Sequence, residues 1–366
     1  MEICKAGFVA FGVGMCLTAL IGCGGGSQSS AGNSAASTSI STSVSNSPST
    51  ATFLSFNGGQ TPVLSYRGTN LSGGEFGDVS GIYGYNYIYP NQSEVDYFIN
   101  KRMNVVRLPF LWERLQSSIG TALNETEMAR IDAFVAQTAA KGVFVILDPH
   151  NYAYYRGQMI DSSNVPNSAF ADFWGRLASR YLGNPHVIFG LMNEPIGPTA
   201  VQWAASANAA VAAIRASGAT NLILVPGTWW TGAHSWIDSG NSVAMLAIND
   251  PINNFVFEVH QYLDSDSSGT QANCVSSTIG SERVQAFTNW LRANGRKGFL
   301  GEFAGANNDI CKQAVDNLLT DMENNSDVWA GWTWWSAGPW WGNYMFSIEP
   351  LNGVDQPLMS VLANHL

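Results

Sequence analysis

Charge is what this sequence has least of. Only 12% of its 366 residues are Asp, Glu, Lys or Arg, and 17 basic residues stand against 27 acidic ones, a formal net charge of −10. Holding a phosphate backbone needs clustered Lys and Arg, so this balance excludes a nucleic acid partner. It also argues against electrostatic capture of an anionic polymer and leaves a neutral ligand as the better fit. A long apolar run is missing as well. The one candidate, Ala6 to Gly22 after Lys5, is too short and too rich in glycine to span a membrane, and reads as a secretory signal. Metal-ligand spacing is absent. The five histidines, His150, His186, His234, His260 and His365, form neither H-x-H nor H-E-x-x-H, and no cysteine pair has ligand spacing, so no metal or other cofactor is expected. No G-x-S-x-G elbow follows a strand, which weakens a serine nucleophile. No G-x-G-x-x-G follows the first strand, which removes local support for dinucleotide binding.

Cysteine is scarce too, and its placement is informative. Of five cysteines, Cys4, Cys16 and Cys23 fall in the leader region. The leader closes with Leu20-Ile21-Gly22-Cys23, which resembles a bacterial lipobox and makes Cys23 a candidate lipidation site; ordinary signal cleavage nearby is the alternative. Either route exports the protein, as a secreted domain or one tethered to the cell surface or outer membrane through Cys23. In an exported chain the two remaining cysteines, Cys274 and Cys311, most simply pair as one disulfide, the alternative being two buried thiols. Residues 23–52 are nearly all Ser, Gly, Ala, Thr and Asn and cannot bury enough apolar area to offset their ordering entropy, so a disordered linker is expected there. The expected organisation is a signal at 1–22, a linker at 23–52 and a folded domain at 53–366.

What is present within that domain is alternation. Strands are predicted at Ser65–Leu71, Asn104–Pro109, Val143–Asp148, Val187–Met192, Leu222–Val225, Phe255–Val259, Gly298–Gly301 and Ala330–Trp334. Helical spacing lies between most of them, at Gln92–Arg102, Asn124–Lys141, Asn167–Tyr181, Ala200–Ser217, Ile279–Asn294 and Ile310–Asn324, with a short helix near Pro357–Asn364. Asn124 and Glu127 have the spacing of a helix cap and capping box. Eight apolar strands alternating with about eight helices predict a parallel sheet covered by helices. The size fits an α/β fold of the (β/α)8 TIM barrel type, a single catalytic domain, better than an open sheet.

In such a barrel the reactive groups gather at the carboxyl ends of the strands. Those ends bring, in order, Arg107, His150, Asn193 with Glu194, His260 with Tyr262, Glu302 and Trp335. Two carboxyl groups from distant strands, with an arginine to keep one ionised, fit glycoside hydrolysis, in which one carboxyl donates a proton and the other attacks or activates water. The 13 tryptophans and 12 tyrosines, many in predicted loops such as Gly227–Trp236 with Trp230, suit stacking on sugar faces; core packing accounts for others.

The strings RLPF at 107–110, DPHNY at 148–152, IFGLMNEP at 188–195, EVHQYLD at 258–264, LGEFAG at 300–305 and WTWWSAGPWWG at 332–342 resemble family 5 glycoside hydrolases, above all endo-β-1,4-glucanases of fungal type. The resemblance covers about Ser65 to Leu366, with the blocks in order. It implies a clan A barrel and a retaining, endo-acting enzyme on β-1,4-glucan, with Glu194 as acid/base and Glu302 as nucleophile. It further implies Asn193 at the sugar 2-hydroxyl, Arg107 and His150 in support of the nucleophile, and His260 and Tyr262 around the two carboxyls. Trp335 would floor the subsite beside the scissile bond, joined to Ser336 by a cis peptide, and Cys274 would pair with Cys311. A monomer without cofactor is the expectation. Two positions depart from the family pattern: Leu71, where some relatives are acidic, and His234, where an aromatic is expected. Mannan, xyloglucan or mixed-linkage glucan remain alternative substrates, and a non-catalytic glycan-binding protein is the alternative of another class.

Overall fold

The computed structural model describes residues 63–366, so the signal at 1–22, Cys23 and the linker at 23–52 lie outside the described residues. Eight parallel strands close into a barrel: β1 Tyr66–Leu71, β2 Val105–Phe110, β3 Phe144–Pro149, β4 Val187–Gly190, β5 Ile223–Pro226, β6 Phe255–His260, β7 Gly298–Glu302 and β8 Trp329–Ala337. Each strand pairs with the next, and β8 returns to β1 through Tyr66 opposite Gly331 and Gly68 opposite Thr333. The strands are mostly apolar and mostly buried on both faces, as a sheet covered by helices requires, with polar residues such as Arg107, Asp148, Glu258 and Glu302 set among them.

Among the described residues, six long helices stand outside: α1 Gln92–Asn100, α2 Glu125–Ala139, α3 Asn167–Arg180, α4 Ala200–Ala216, α5 Ile279–Ala293 and α6 Asp309–Asn324. The expectation of about eight is met only with short pieces. Asn241–Ala244 and Met245–Ala247 stand in for a helix between β5 and β6, and Met359–Leu362 closes the chain. Asn124 does cap α2, accepting from the N–H groups of Thr126 and Glu127, but the capping box does not form. The Glu127 carboxylate is drawn away by the hydroxyls of Tyr87 and Tyr89, which donate to it at 2.8 and 2.7 Å. Capping boxes form instead on α1, between Asn91 and Glu94, and on α4, between Thr199 and Gln202.

The core has two parts. A small apolar plug of Val105, Ile146, Ile188, Leu224, Val256, Phe299 and Ala330 fills the barrel interior. A much larger layer between sheet and helices includes the fully buried Trp174, Trp203, Trp236 and Trp332. The tryptophan count is thus partly a packing count. At about 25 cal/mol per Å², rings of this size dominate core energetics. The plug shuts the bottom of the barrel, so anything polar on the inward face stands above it, at the carboxyl ends of the strands.

Candidate active site

Side chains alternate along a regular strand, so the inward residue two positions above a plug residue forms the next layer. Above Val105 is Arg107, above Ile146 is Asp148, and above Val256 is Glu258. Above Ile188 and Phe299 stand Gly190 and Gly301. A Cβ on Gly301 would run into the Glu258 carboxylate and come within 2.9 Å of His260 Nε2. The glycines therefore make room for a charged layer within a close-packed barrel.

Arg107, fully buried, is the hub of that layer. Its Nη1 donates to Glu302 Oε1 and to Asn70 Oδ1, both at 2.9 Å, and lies 3.2 Å from Asp148 Oδ2. Its Nη2 donates to Asn193 Oδ1 at 2.9 Å, and its Nε lies 3.1 Å from Glu258 Oε1. Burial alone would lower its pKa, but Asp148, Glu258 and Glu302 together push it upward, so the guanidinium stays charged. Asn193 is fixed on both sides. Its Oδ1 takes the arginine, so its amide nitrogen faces His150 Nε2 at 3.1 Å, and His150 Nδ1 faces Asp148 Oδ2 at 2.8 Å.

The third layer holds the two carboxyl groups. Glu302 ends β7, with Oε1 on Arg107 and Oε2 accepting from the Tyr262 hydroxyl at 2.7 Å. Burial and the adjacent Glu302 charge push the Tyr262 phenol well up, so it stays a donor. Glu194 lies beyond β4 in a turn. Its own φ is +39°, a conformation that costs about 1–3 kcal/mol in a non-glycine residue and persists where the surroundings over-determine it. Asn193 N donates to Pro149 O, and the next loop is tied in by Trp230 N donating to Pro195 O. Glu194 Oε1 lies 2.8 Å from His260 Nδ1. Burial raises the Glu194 pKa, and the Glu302 charge adds to that rise while His260 opposes it. Burial would lower the His260 pKa, but Glu302, Glu194 and Glu258 outweigh it and push it upward. Glu194 and His260 thus hold between them a proton that two isolated groups would have shed at neutral pH.

The carboxyls differ in the sense that acid and nucleophile require: one is clamped by a guanidinium and a phenol, the other stands partly exposed to the cleft against an imidazole. Oxygens of Glu194 and Glu302 come within 4.8 Å of one another. That is the short, retaining side of the divide between the two classes of glycosidase, since inverting pairs stand roughly 6.5–9.5 Å apart. The same two residues and His260 could reach one metal ion by distance alone. Their atoms are already engaged with one another, with Tyr262 and with Arg107, whose positive charge opposes a cation there.

Aromatic rings rim this centre. Trp335, half-buried, lies nearly parallel to the His150 ring at 5.5 Å and edge-on to Trp341, and the Trp335–Ser336 peptide is cis. Trp334 is fully buried in the layer between sheet and helices, whereas Trp340 is exposed and Trp341 half-buried. Trp229 and Trp230 are each about half exposed, 55% and 50%, with their rings perpendicular. They are presented by three successive left-handed residues, Trp229, Trp230 and Thr231. The turn is locked by Thr231 Oγ1, which donates to Glu258 O at 2.6 Å and accepts from Gly227 N. Cys274 and Cys311 form a disulfide between the loop after β6 and the first turn of α6. His234 is exposed, its ring 3.2 Å from Gln261 Oε1. Leu71 is fully buried and takes no part in the cleft.

The structure therefore gathers Arg107, His150, Asn193, Glu194, His260, Tyr262, Glu302 and Trp335 in one place. Residue-by-residue reading passed over Asn70, Asp148 and Glu258, all buried in the same network. Asp148 and Glu258 had a signal: each stands two residues before a selected histidine and so on the same strand face.

Comparison with known proteins agrees with this geometry. The profile of Cellulase (glycosyl hydrolase family 5) matches residues 59–338. Endo-beta-1,4-glucanase A of Emericella nidulans is 47% identical over 297 residues, which cover 80% of this chain and 89% of that protein. Among solved structures, the endo-beta-1,4-glucanase Xac0029 of Xanthomonas axonopodis pv. citri is 50% identical, with a TM-score of 0.81 over 82% of this chain and 98% of that one. XacCel5A in complex with cellopentaose is 48% identical, with a TM-score of 0.82 over 83% and 99%. With a barrel, a paired carboxyl centre and relatives that agree over nearly the whole described domain, the chain belongs to glycosyl hydrolase family 5.

Proposed function

We propose that this protein is an exported, retaining endo-β-1,4-glucanase, and the observation behind the mechanism is the asymmetric pair Glu194 and Glu302. The Glu302 carboxylate attacks the anomeric carbon, forming a C–O ester bond as the glycosidic C–O bond breaks. Glu194 gives its proton to the departing oxygen. Water then attacks the same carbon, Glu194 takes the water's proton, and Glu302 leaves as carboxylate, so two inversions give retention. Arg107 and Tyr262 hold Glu302 in its attacking orientation. Asn193 is placed to reach the 2-hydroxyl of the sugar, and Trp335 forms the floor beneath it. Trp229, Trp230 and Trp340 line an open rim along which a chain can run past the centre. The β-1,4-glucan preference rests on the relatives named above, and a surface tether at Cys23 rests on the leader sequence. No helix among the described residues is long and apolar enough to cross a membrane.

Reducing ends should appear on carboxymethylcellulose far faster than on galactomannan, with the fall in viscosity running ahead of them, as internal cleavage requires. Faster release from galactomannan moves the substrate assignment; binding without release makes the protein a glycan-binding module. Glu302→Gly should be inactive and rescued by azide to give a glycosyl azide of inverted configuration. Retained activity in that variant refutes the nucleophile. Mass spectrometry of the mature N-terminus reads lipid on Cys23 or its absence.

A further inference from the structure

Glu258 is buried in the barrel interior, 1% exposed, and the double displacement gives it no task. It faces two groups that do have tasks. Oε1 lies 3.1 Å from Arg107 Nε and 3.5 Å from His260 Nε2. Neither Glu258 oxygen has a closer hydrogen-bond donor, and His260 Nε2 is likewise buried with no closer acceptor. Gly301 leaves the space in which this contact exists. One guanidinium here faces four carboxyl groups, Asp148, Glu194, Glu258 and Glu302, an arrangement that favours keeping one proton in the cluster.

We propose that Glu258 is a positioning residue that fixes the proton of His260 on Nε2, and so leaves Nδ1 as the partner through which Glu194 is kept protonated. The inference rests on the glycosidase reading above and goes beyond it by assigning the control of the acid to a third carboxylate. The contact between Glu194 Oε1 and His260 Nδ1, at 2.8 Å, has room for one proton. If the neutral ring carried its hydrogen on Nδ1, Glu194 would be the ionised acceptor and the Nε2 lone pair would point at an anion. The Glu258 charge makes that tautomer unfavourable. With the hydrogen on Nε2, the proton of the Glu194–His260 contact belongs to the carboxyl and is available to the leaving oxygen. The charged and titratable groups around the ring are Glu194 beyond β4, Glu258 on its own strand, Tyr262, Glu302 on β7 and Arg107 on β2, with Asp148 and His150 of β3 behind the arginine. Among them Glu258 alone addresses Nε2 at ion-pair distance.

The test is Glu258→Gln in the full chain, of nearly the same shape without the charge, with Glu258→Asp to restore the charge. Two substrates separate the roles: cellotetraose, whose leaving group needs an acid, and a dinitrophenyl β-cellobioside, whose leaving group does not. For Glu258→Gln, kcat/KM on cellotetraose should fall on the order of tenfold to a hundredfold, part of what a general acid supplies. On the activated substrate it should stay within about threefold, because glycosylation there needs no proton. The alkaline limb of the cellotetraose profile should move down by roughly one pH unit or more, and Glu258→Asp should recover part of that shift. Equal losses on both substrates with an unmoved limb would mean that Glu258 acts only through Arg107 or through packing, and the proposal falls. Should the variants not fold, imidazole nitrogen NMR of the wild type decides: a ring protonated on Nε2 and bare on Nδ1 across the active pH range supports the proposal, and a ring protonated on Nδ1, neutral or doubly protonated, overturns it. A wild type that cleaves neither substrate would instead remove the glycosidase reading itself.

Discussion

Replacing Arg107 by methionine separates the electrostatic account of this site from a purely steric one. Methionine is of similar length and suits a barrel interior, so most of the packing survives while the charge goes. The guanidinium is fully buried and holds Glu302 at 2.9 Å, Glu258 at 3.1 Å and Asp148 at 3.2 Å, with Asn70 and Asn193 completing its donors. Breaking a buried pair by removing one partner costs about 3–5 kcal/mol, because the other charge is left in a low dielectric. Unfolding entropy of about 2.1 cal/mol/K per residue over roughly 300 residues gives ~0.6 kcal/mol/K, so the melting temperature should fall by about 5–8 °C at neutral pH. The loss has a sign with pH. Carboxylates without their cation take up protons more readily, so the variant should lie closer to wild type at pH 4 than at pH 7. Thermal melts followed by circular dichroism at both pH values read this directly. A drop below about 1 °C at neutral pH, or an equal drop at both, would refute the view that the barrel mouth is an electrostatic assembly around this arginine.

Three other outcomes follow from particular contacts. Cys274 and Cys311 close a loop with a sequence separation of 37, worth about 4 kcal/mol in the chain-entropy model, so Cys274→Ser with Cys311→Ser should lower the melting temperature by roughly 6 °C while leaving kcat/KM on short cello-oligosaccharides unchanged. His365 is held between Glu323 at 2.9 Å and Asp316 at 3.2 Å. Burial opposes its charge, but the two carboxylates outweigh that and raise its pKa. Its contribution is therefore complete below the unfolded value of about 6.5 and is lost as pH rises through the higher folded value. His365→Gln should narrow the melting gap to wild type between pH 6 and pH 9, and a gap that widens over that range contradicts the assignment. Trp230→Ala should raise KM for long cello-oligosaccharides on the order of threefold to tenfold with little change in kcat, as expected for a half-exposed ring that touches only bound chain.

The sequence by itself determined the barrel and the main members of its site. Apolar runs such as VFVILD and VIFG are long enough only for buried strands, and their alternation with amphipathic helices leaves few topologies. The polar residues that end those runs, Arg107, Asn193, Glu194, His260 and Glu302, had to lie at one mouth because every strand of such a barrel points the same way. What only the tertiary structure decided is how those groups share charge. Asn70 and Glu258 sit inside strands where polarity alone does not distinguish a structural carboxamide or ion pair from part of a reaction centre. Glu127 satisfies a capping pattern along the chain but is taken by two tyrosines from another loop. The left-handed turn at Trp229–Thr231 has no glycine to announce it and exists because Thr231 bonds to β6. In each case the deciding partner is distant in sequence, and the energy of a buried hydrogen bond or ion pair depends on which groups share the same dry volume. The order of residues along the chain does not record that.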